Sequence, residues 1–128
     1  MKNKTIIVID DDESTLESLA SYLAEMGFAV HSSKNGITGL ELIKSTNPDL
    51  VISDIRMSGL NGIELAYLVK GLKFDVPVIL ISSYDNTENQ FIDRCSFGYV
   101  QKPIDIHNLN GMIDRALLSR DTQYQSIQ

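Results

Sequence analysis

The chain alternates between two hydrophobic rhythms. Short apolar runs, Ile6-Ile7-Val8-Ile9, Leu50-Val51-Ile52 and Val78-Ile79-Leu80-Ile81, are separated by stretches whose apolar residues recur every three or four positions. Runs of the first kind, rich in β-branched residues, read as strands buried on both faces, and the intervening stretches as amphipathic helices. Leu16, Leu19, Ala20 and Leu23 predict a helix after the first strand, started by Asp12 or Ser14 and stopped by Gly27. Phe28 to Ser32 is shorter and more polar, which predicts a strand near a sheet edge. Ile37, Leu40 and Ile43 predict a second helix closed by Asn47-Pro48. After the third strand, the loop from Arg56 to Gly62 opens onto a helix with Leu65, Leu68, Val69 and Leu72 on one face. Pro77 starts the fourth strand, where its missing N–H costs least. A polar segment from Ser83 to Asn89 leads to a short helix holding Phe91 and Ile92. Tyr99-Val100-Gln101 forms the fifth strand, and Leu109, Met112, Ile113, Ala116 and Leu117 line a last helix.

Five β-α units in succession predict an α/β fold with a parallel sheet, right-handed crossovers and helices on both faces. Residues 1–120 read as one domain without internal repeat. Residues 121–128 are polar and lack helical periodicity, and read as a frayed terminus or the beginning of a linker.

Composition narrows the setting. At 128 residues with 43% hydrophobic content, the chain has enough apolar material for one core. A net charge of −6 argues against nucleic-acid or anionic-membrane binding by the bulk field of this segment. Cys95 is the single cysteine, so no internal disulfide forms and a reducing, cytoplasmic compartment is expected. No apolar stretch approaches the roughly 18 residues a membrane span requires. Met1 to Lys4 leads directly into the first strand, with no signal-peptide core of about 7–15 apolar residues.

The chemistry lies where the strands stop. The first runs into Asp10-Asp11-Asp12, the third into Asp54, the fourth onto Ser82 and the fifth into Lys102. Open parallel sheets bind ligands beyond the carboxyl ends of their strands, so these residues gather at one rim. Crowded carboxylates repel unless a cation intervenes, and a hard divalent ion such as Mg²⁺ takes one or two carboxylates plus waters and substrate oxygens. Asp54 is placed to act as a nucleophile toward phosphorus, since a carboxylate needs no prior deprotonation. Lys102 and the Ser82 hydroxyl would hold the remaining phosphoryl oxygens. Strand alternation sends Asp10 and Asp11 to different sides. Asp11 is favoured as a direct metal ligand, Asp10 as one acting through water, and Asp12 as a helix cap. Taken singly, each stop is an ordinary cap or turn; taken together, their chemistry points to a site.

These residues resemble the receiver domain of two-component response regulators over nearly the whole chain, from Lys4 to about Arg120. The carriers are Ile7-Val8-Ile9-Asp10-Asp11-Asp12, Pro48 to Met57 with Asp54 inside it, Gly59-Leu60-Asn61-Gly62, Pro77 to Ser82, and Gly98 to Pro103. The resemblance implies a doubly wound (βα)5 flavodoxin-like sheet of strand order 2-1-3-4-5. It implies that Asp54 accepts a phosphoryl group from the phosphohistidine of a sensor histidine kinase or phosphotransfer protein. Mg²⁺ would be bound by Asp10, Asp11, Asp54 and the backbone carbonyl of Arg56. Lys102 would contact the phosphoryl group, Ser82 would turn inward to it, and Tyr99 would be the aromatic of the switch. The surface of the fourth helix, fifth strand and fifth helix would carry the readout to a partner or an output domain, and it admits a homodimer. Such a chain is a phosphoacceptor that assists its own phosphorylation and dephosphorylation rather than an enzyme on other substrates. In that family the positions matching Arg56 and Tyr84 flank the phosphoryl site and tune its hydrolysis; here both read equally well as solvent-exposed side chains.

Three features depart from the family pattern. Ser58 stands where Pro is usual, which predicts a looser loop. Arg94-Cys95-Ser96 replaces a small turn with a central Gly, so strain is expected at Cys95. Ser82 stands where Thr is commoner, which leaves the chemistry unchanged. His31 and His107 have no acidic or cysteine neighbours at metal spacing and read as ordinary surface residues. Cys95 reads as a small buried apolar residue. Three alternatives meet specific obstacles. A haloacid-dehalogenase-type phosphatase would leave Asp54 unexplained, and only Asp105 follows Lys102 closely where that family needs a second acidic motif. A flavin carrier of the same fold would meet a repulsive acidic triplet where phosphate must bind. A pseudo-receiver that binds partners without phosphorylation has no evident use for an intact Asp54 and Lys102.

Overall fold

The computed structural model describes residues 4–72, 76–83 and 90–127, with backbone alone at 90 and 121–127. Its elements are β1 (Thr5–Ile9), α1 (Glu13–Glu25), β2 (Ala29–Ser33), α2 (Gly36–Thr46) and β3 (Leu50–Asp54). They continue with α3 (Gly62–Lys70), β4 (Val78–Ser82), α4 (Gln90–Cys95), β5 (Gly98–Gln101) and α5 (Ile106–Ile127). The strands form one parallel sheet in the order β2-β1-β3-β4-β5, as the resemblance implies.

Strand alternation divides the core into two layers. Ile6 and Val8 of β1, Leu50 and Ile52 of β3, and Ile79 and Ile81 of β4 face α1 and α5, where they meet Leu16, Leu19, Leu23, Leu109 and Ile113. Ile7 and Ile9, Val51, Val78 and Leu80 face α2, α3 and α4, against Ile43, Leu65, Val69 and Ile92. Both layers being apolar explains why the central strands read as continuous hydrophobic runs rather than alternating ones. The α1–α5 layer also carries a polar tie, the Tyr22 hydroxyl donating to Asn110 Oδ1 at 2.7 Å.

Helix boundaries follow the predicted punctuation. Asp12 caps α1 by accepting the Thr15 N–H, and Gly27, at φ 101°, turns the chain after it. Asn47 closes α2 in the left-handed conformation, and Asn61 and Glu64 form a reciprocal capping box at the start of α3.

Four expectations need correction. Ile37 and Leu68, assigned by periodicity to the buried faces of α2 and α3, are 53% and 49% exposed. In α2 the sheet is approached instead by Gly39, where a side-chain carbon would fall 2.5 Å from Ile9 Cδ1, while Gly36 lies against the backbone of Leu60 in the loop before α3. In α3 the small Ala66 takes the inward place beside Leu65 and Val69. The polar tail is helical in its backbone, since α5 continues through Ile127. Extending an established helix adds a hydrogen bond for each residue ordered, so the tail needs no apolar stripe of its own. Before that extension, Arg120 anchors α5 to Asp49 at 2.6 Å, and the other oxygen of Asp49 accepts the Thr5 N–H.

Cys95 also departs from expectation. Asn47 is the one non-glycine residue with positive φ among those described, so the turn after α4 carries no left-handed strain at Cys95. Ser96 closes the helix by donating both its backbone N–H and its hydroxyl to the Ile92 carbonyl. Cys95 is buried, and that burial pushes its thiol pKa up, which makes it inert packing.

The exposure difference within α2 gives a direct test. Ile43→Ala should cost about 2–5 kcal/mol, because Ile43 is wholly buried. Ile37→Ala should cost less than about 1 kcal/mol. Urea unfolding of the two variants decides; equal losses would restore the face predicted by periodicity.

Candidate functional site: an acidic cluster at the switch point of the sheet

β1 and β3 are sequence-distant but adjacent in the sheet, and the connections leaving them run to opposite sides. Such a point of reversal opens a crevice beyond the strand ends. The register pairs Ile9 with Ser53, so the next residues outward, Asp10 and Asp54, are brought side by side. Ligand oxygens of Asp10, Asp11 and Asp54 lie within 4.8 Å of one another. Asp10 is fully buried and Asp54 nearly so, whereas Asp11 is exposed.

Lys102 reaches this cluster from the end of β5. Its Nζ lies 3.0 Å from Asp10 Oδ2 and 3.5 Å from Asp54 Oδ2. The reach is set by the backbone: the Lys102 N–H donates to the Ser82 carbonyl at 2.7 Å, fixing the residue beside the end of β4. The other oxygen of Asp10 accepts the Asp12 N–H at 2.9 Å. Asp10 is therefore held at both oxygens, while Asp54 has the looser contact with the ammonium.

The loop after Asp54 is pinned equally closely. The Ile55 N–H donates to the Ile81 carbonyl, and the Gly62 N–H to the Ile55 carbonyl. The Ser53 hydroxyl donates to the Asp54 carbonyl at 2.9 Å. Gly62 sits so close that any side chain there would collide with the Asp54 carbonyl and the Ile55 backbone. The sequence motif contained this glycine, but its task, bringing the start of α3 against the backbone of Asp54, emerges only in three dimensions.

Burial and the neighbouring charge of Asp10 push the Asp54 pKa up to about 6, with Lys102 pulling the other way. Burial works to lower the Lys102 pKa, but its hydrogen bond and charge contact with Asp10, and then Asp54, outweigh this and raise it. Asp12 has the opposite surroundings to Asp54: the Thr15 hydroxyl and N–H hold its pKa down, as befits a solvated helix cap.

Asp10, Asp11, Asp54 and Lys102 thus come together as predicted. Ser82 is fully buried at the end of the neighbouring strand. Tyr99 is half-buried and packs toward the layer of α2, α3 and α4, outside the carboxylate cluster. Arg56 follows Asp54 by two residues, with its side chain exposed, and Tyr84 lies outside the described residues. His31 and His107 are exposed and remote from the cluster in the sequence of elements.

The donor set suits a hard divalent cation. All three groups offer oxygen, and three carboxylates face one ammonium. Oxygens around an octahedral ion such as Mg²⁺ stand about 3–4 Å apart, close to the spread seen here.

Comparison with known proteins agrees with this geometry. The sequence matches the response regulator receiver domain over residues 6–114. The chain belongs to that family. Among curated relatives, this receiver domain is 36% identical over 114 residues to the regulatory protein AtoC of Escherichia coli K12, covering 88% of this chain and 25% of AtoC. It is 31% identical over 117 residues to the response regulator MprA of Mycobacterium tuberculosis, covering 90% and 50%. The chain therefore spans a quarter to a half of the length of these relatives. Among solved structures, a receiver domain protein from Methanospirillum hungatei superposes with a TM-score of 0.88 at 25% identity, covering 95% of this chain and 99% of that one. The response regulator TrrA of Thermotoga maritima, solved in complex with Mg²⁺ and BeF, superposes with a TM-score of 0.83 at 31% identity, covering 89% and 99%. No described helix of this receiver is long and apolar enough to cross a membrane.

The raised Asp54 pKa makes a prediction about stability. Its folded value of about 6 exceeds the usual 3.8, so between those values the folded state holds more protons than the unfolded state. Stability from this group is then present below about pH 4 and lost as pH rises toward 6. In chelator-treated buffer, Asp54→Asn should be more stable than wild type at neutral pH by about 1–2 kcal/mol, after allowance for solvent screening. The advantage should shrink toward pH 4. Scanning calorimetry at the two pH values measures it, and equal melting temperatures at neutral pH would refute a destabilising charge on the buried Asp54 carboxylate.

Proposed function

We propose that this receiver accepts a phosphoryl group on Asp54 from the phosphohistidine of a sensor histidine kinase or phosphotransfer protein. The observation that carries the reading is the Asp54 carboxylate, held at a strand end in the crevice and contacted at 3.5 Å by Lys102. An Asp54 oxygen attacks phosphorus, the P–N bond to imidazole breaks, and the nitrogen keeps the electron pair and takes up a proton. Asp10, Asp11, Asp54 and the Arg56 carbonyl are the residues that would hold Mg²⁺, with Asp11 direct and Asp10 through water. When bound, the ion supplies charge neutralisation and orientation for the phosphoryl oxygens. Lys102 moves its ammonium from the carboxylate of Asp54 to a phosphoryl oxygen, retaining Asp10 as its second partner. Ser82 offers its hydroxyl to another.

A donor has a place to lie beside this centre. A groove of about 280 Å³ runs between α1 and the loop leading to α5, lined by Ser18, Leu19, Tyr22, Pro103 and Ile106. Lys102 belongs to both the groove and the acidic cluster. A donor seated there would lie against Lys102, the residue the groove shares with the acidic cluster.

Phosphorylation adds about −1.5 to −2 charges and three acceptor oxygens. Ser82 and Tyr99 would answer that change, turning the surface of α4, β5 and α5 toward a partner, an output domain or a second copy. That role places the chain in two-component signalling in the cytoplasm, as a switch rather than an enzyme acting on other molecules.

Incubation with Mg²⁺ and acetyl phosphate, followed by intact mass, tests the reading. Wild type should gain one phosphoryl mass in a Mg²⁺-dependent manner, and Asp54→Asn should not. No gain in wild type, together with no binding of beryllofluoride, would return the chain to a pseudo-receiver.

A further inference from the structure

α3 and α4 pack side by side, and their outer edges form a ridge of unusual composition for a chain of net charge −6. Tyr67 and Phe91 meet across the two helices edge to face, with ring centroids 6.5 Å apart, although they are 40% and 48% exposed. Large apolar side chains gathered in this way mark an interaction surface more often than scattered ones do.

Two cations flank the rings. The Arg94 guanidinium stands 6.0 Å from the Phe91 ring centroid. The Lys70 ammonium donates to the Arg94 carbonyl at 2.5 Å, which holds it beside the same ridge. Lys70 follows Tyr67 by three residues and Arg94 follows Phe91 by three, so each cation shares a helix face with its aromatic. Among the described residues neither Lys70 nor Arg94 forms an ion pair. Among the described residues, Glu64 is engaged in the capping box of α3, and Asp93 stands two positions from Phe91 on α4, a spacing that does not share its face.

We propose that this α3–α4 ridge is a docking surface for an acidic segment of a partner protein that carries an aromatic or aliphatic anchor. The anchor packs on the step between Tyr67 and Phe91, and carboxylates on either side of it pair with Lys70 and Arg94. Aromatic and Arg side chains are the groups that most often dominate such contacts. A symmetric second copy fits poorly, because a two-fold axis through the ridge sets Lys70 and Arg94 against their own counterparts. Nucleic acid fits poorly too, since two cations on an acidic chain release few counterions.

The test uses the full chain and a short synthetic helical peptide with glutamates spaced three and four residues apart around one Trp. A control peptide carries lysines in place of the glutamates. Titration followed by amide NMR should move resonances of Tyr67, Lys70, Phe91 and Arg94. Affinity should fall at least about tenfold for Lys70→Glu/Arg94→Glu and be absent for the lysine peptide. Arg94→Gln alone should weaken binding while leaving the melting temperature and Asp54 phosphorylation unchanged, which separates docking from folding and from the proposed function. Shifts centred elsewhere, equal binding of the lysine peptide, or no response to charge reversal would overturn the proposal. So would sedimentation showing a dimer that Phe91→Ala dissolves, since the ridge would then belong to a second copy.

Discussion

Two carboxylates are forced together by the register of β1 against β3. Once Ile9 pairs with Ser53, Asp10 and Asp54 have nowhere to go but side by side, and the apolar layers on both faces forbid a slip of the strands. A one-residue shift would turn Ile6 and Val8 into the other layer and strip the core of its fit. The hydrophobic energy of the whole sheet thus holds in place an electrostatic arrangement unfavourable by itself. Lys102 relieves part of that repulsion, and it favours Asp10 over Asp54 by half an ångström. Asp54 remains the less satisfied of the two, which on the proposed reading suits it to accept a new group. Strain of this kind at a site, offset by order elsewhere, is the usual relation between function and stability.

The same centre is tied to its surroundings through backbone rather than side chains. Gly62 brings the first turn of α3 against the Asp54 carbonyl, the Ile55 N–H links the loop to β4, and the Ser82 carbonyl holds Lys102. Three strand ends and one helix start therefore share a hydrogen-bonded rim. On the reading proposed for Asp54, a change of charge there acts on α3 through Gly62 and on β5 through Lys102. Side-chain contacts adjust by rotamer changes, but backbone links of this density move as a set.

The strands and their polar stops were legible because burial on both faces leaves a continuous apolar run, and because the site chemistry falls where each run ends. Helix faces were less legible. Periodicity counts apolar residues, and α2 meets the sheet with Gly39 and the loop before α3 with Gly36, which a hydrophobic pattern does not score. Close approach by glycine leaves Ile37 outside, just as the small Ala66 leaves Leu68 outside in α3. The end of α5 was misjudged for a different reason: the tail has no apolar stripe, but a helix already anchored by Ile113, Leu117 and the Arg120–Asp49 pair extends at little cost. The role of Gly62 at Asp54 was hidden because a collision with a carbonyl has no signature in composition.

The turn after α4 shows how a departure from pattern is absorbed. A glycine at position 95 would allow a left-handed stop; this chain stops α4 with right-handed residues, and Ser96 supplies two donors to the Ile92 carbonyl in its place. That solution frees position 95 to carry a side chain, and Cys95 uses it to extend the buried layer beneath α3 and α4. On the outer side, the backbone carbonyl of Arg94 accepts the Lys70 ammonium. The buried Cys95 and the contact from Lys70 to the Arg94 carbonyl therefore tie the end of α4 to α3 on both its inner and its outer side. The consequence is a firmer α3–α4 pair, whose outward residues stay in fixed relation to each other and present one surface rather than two.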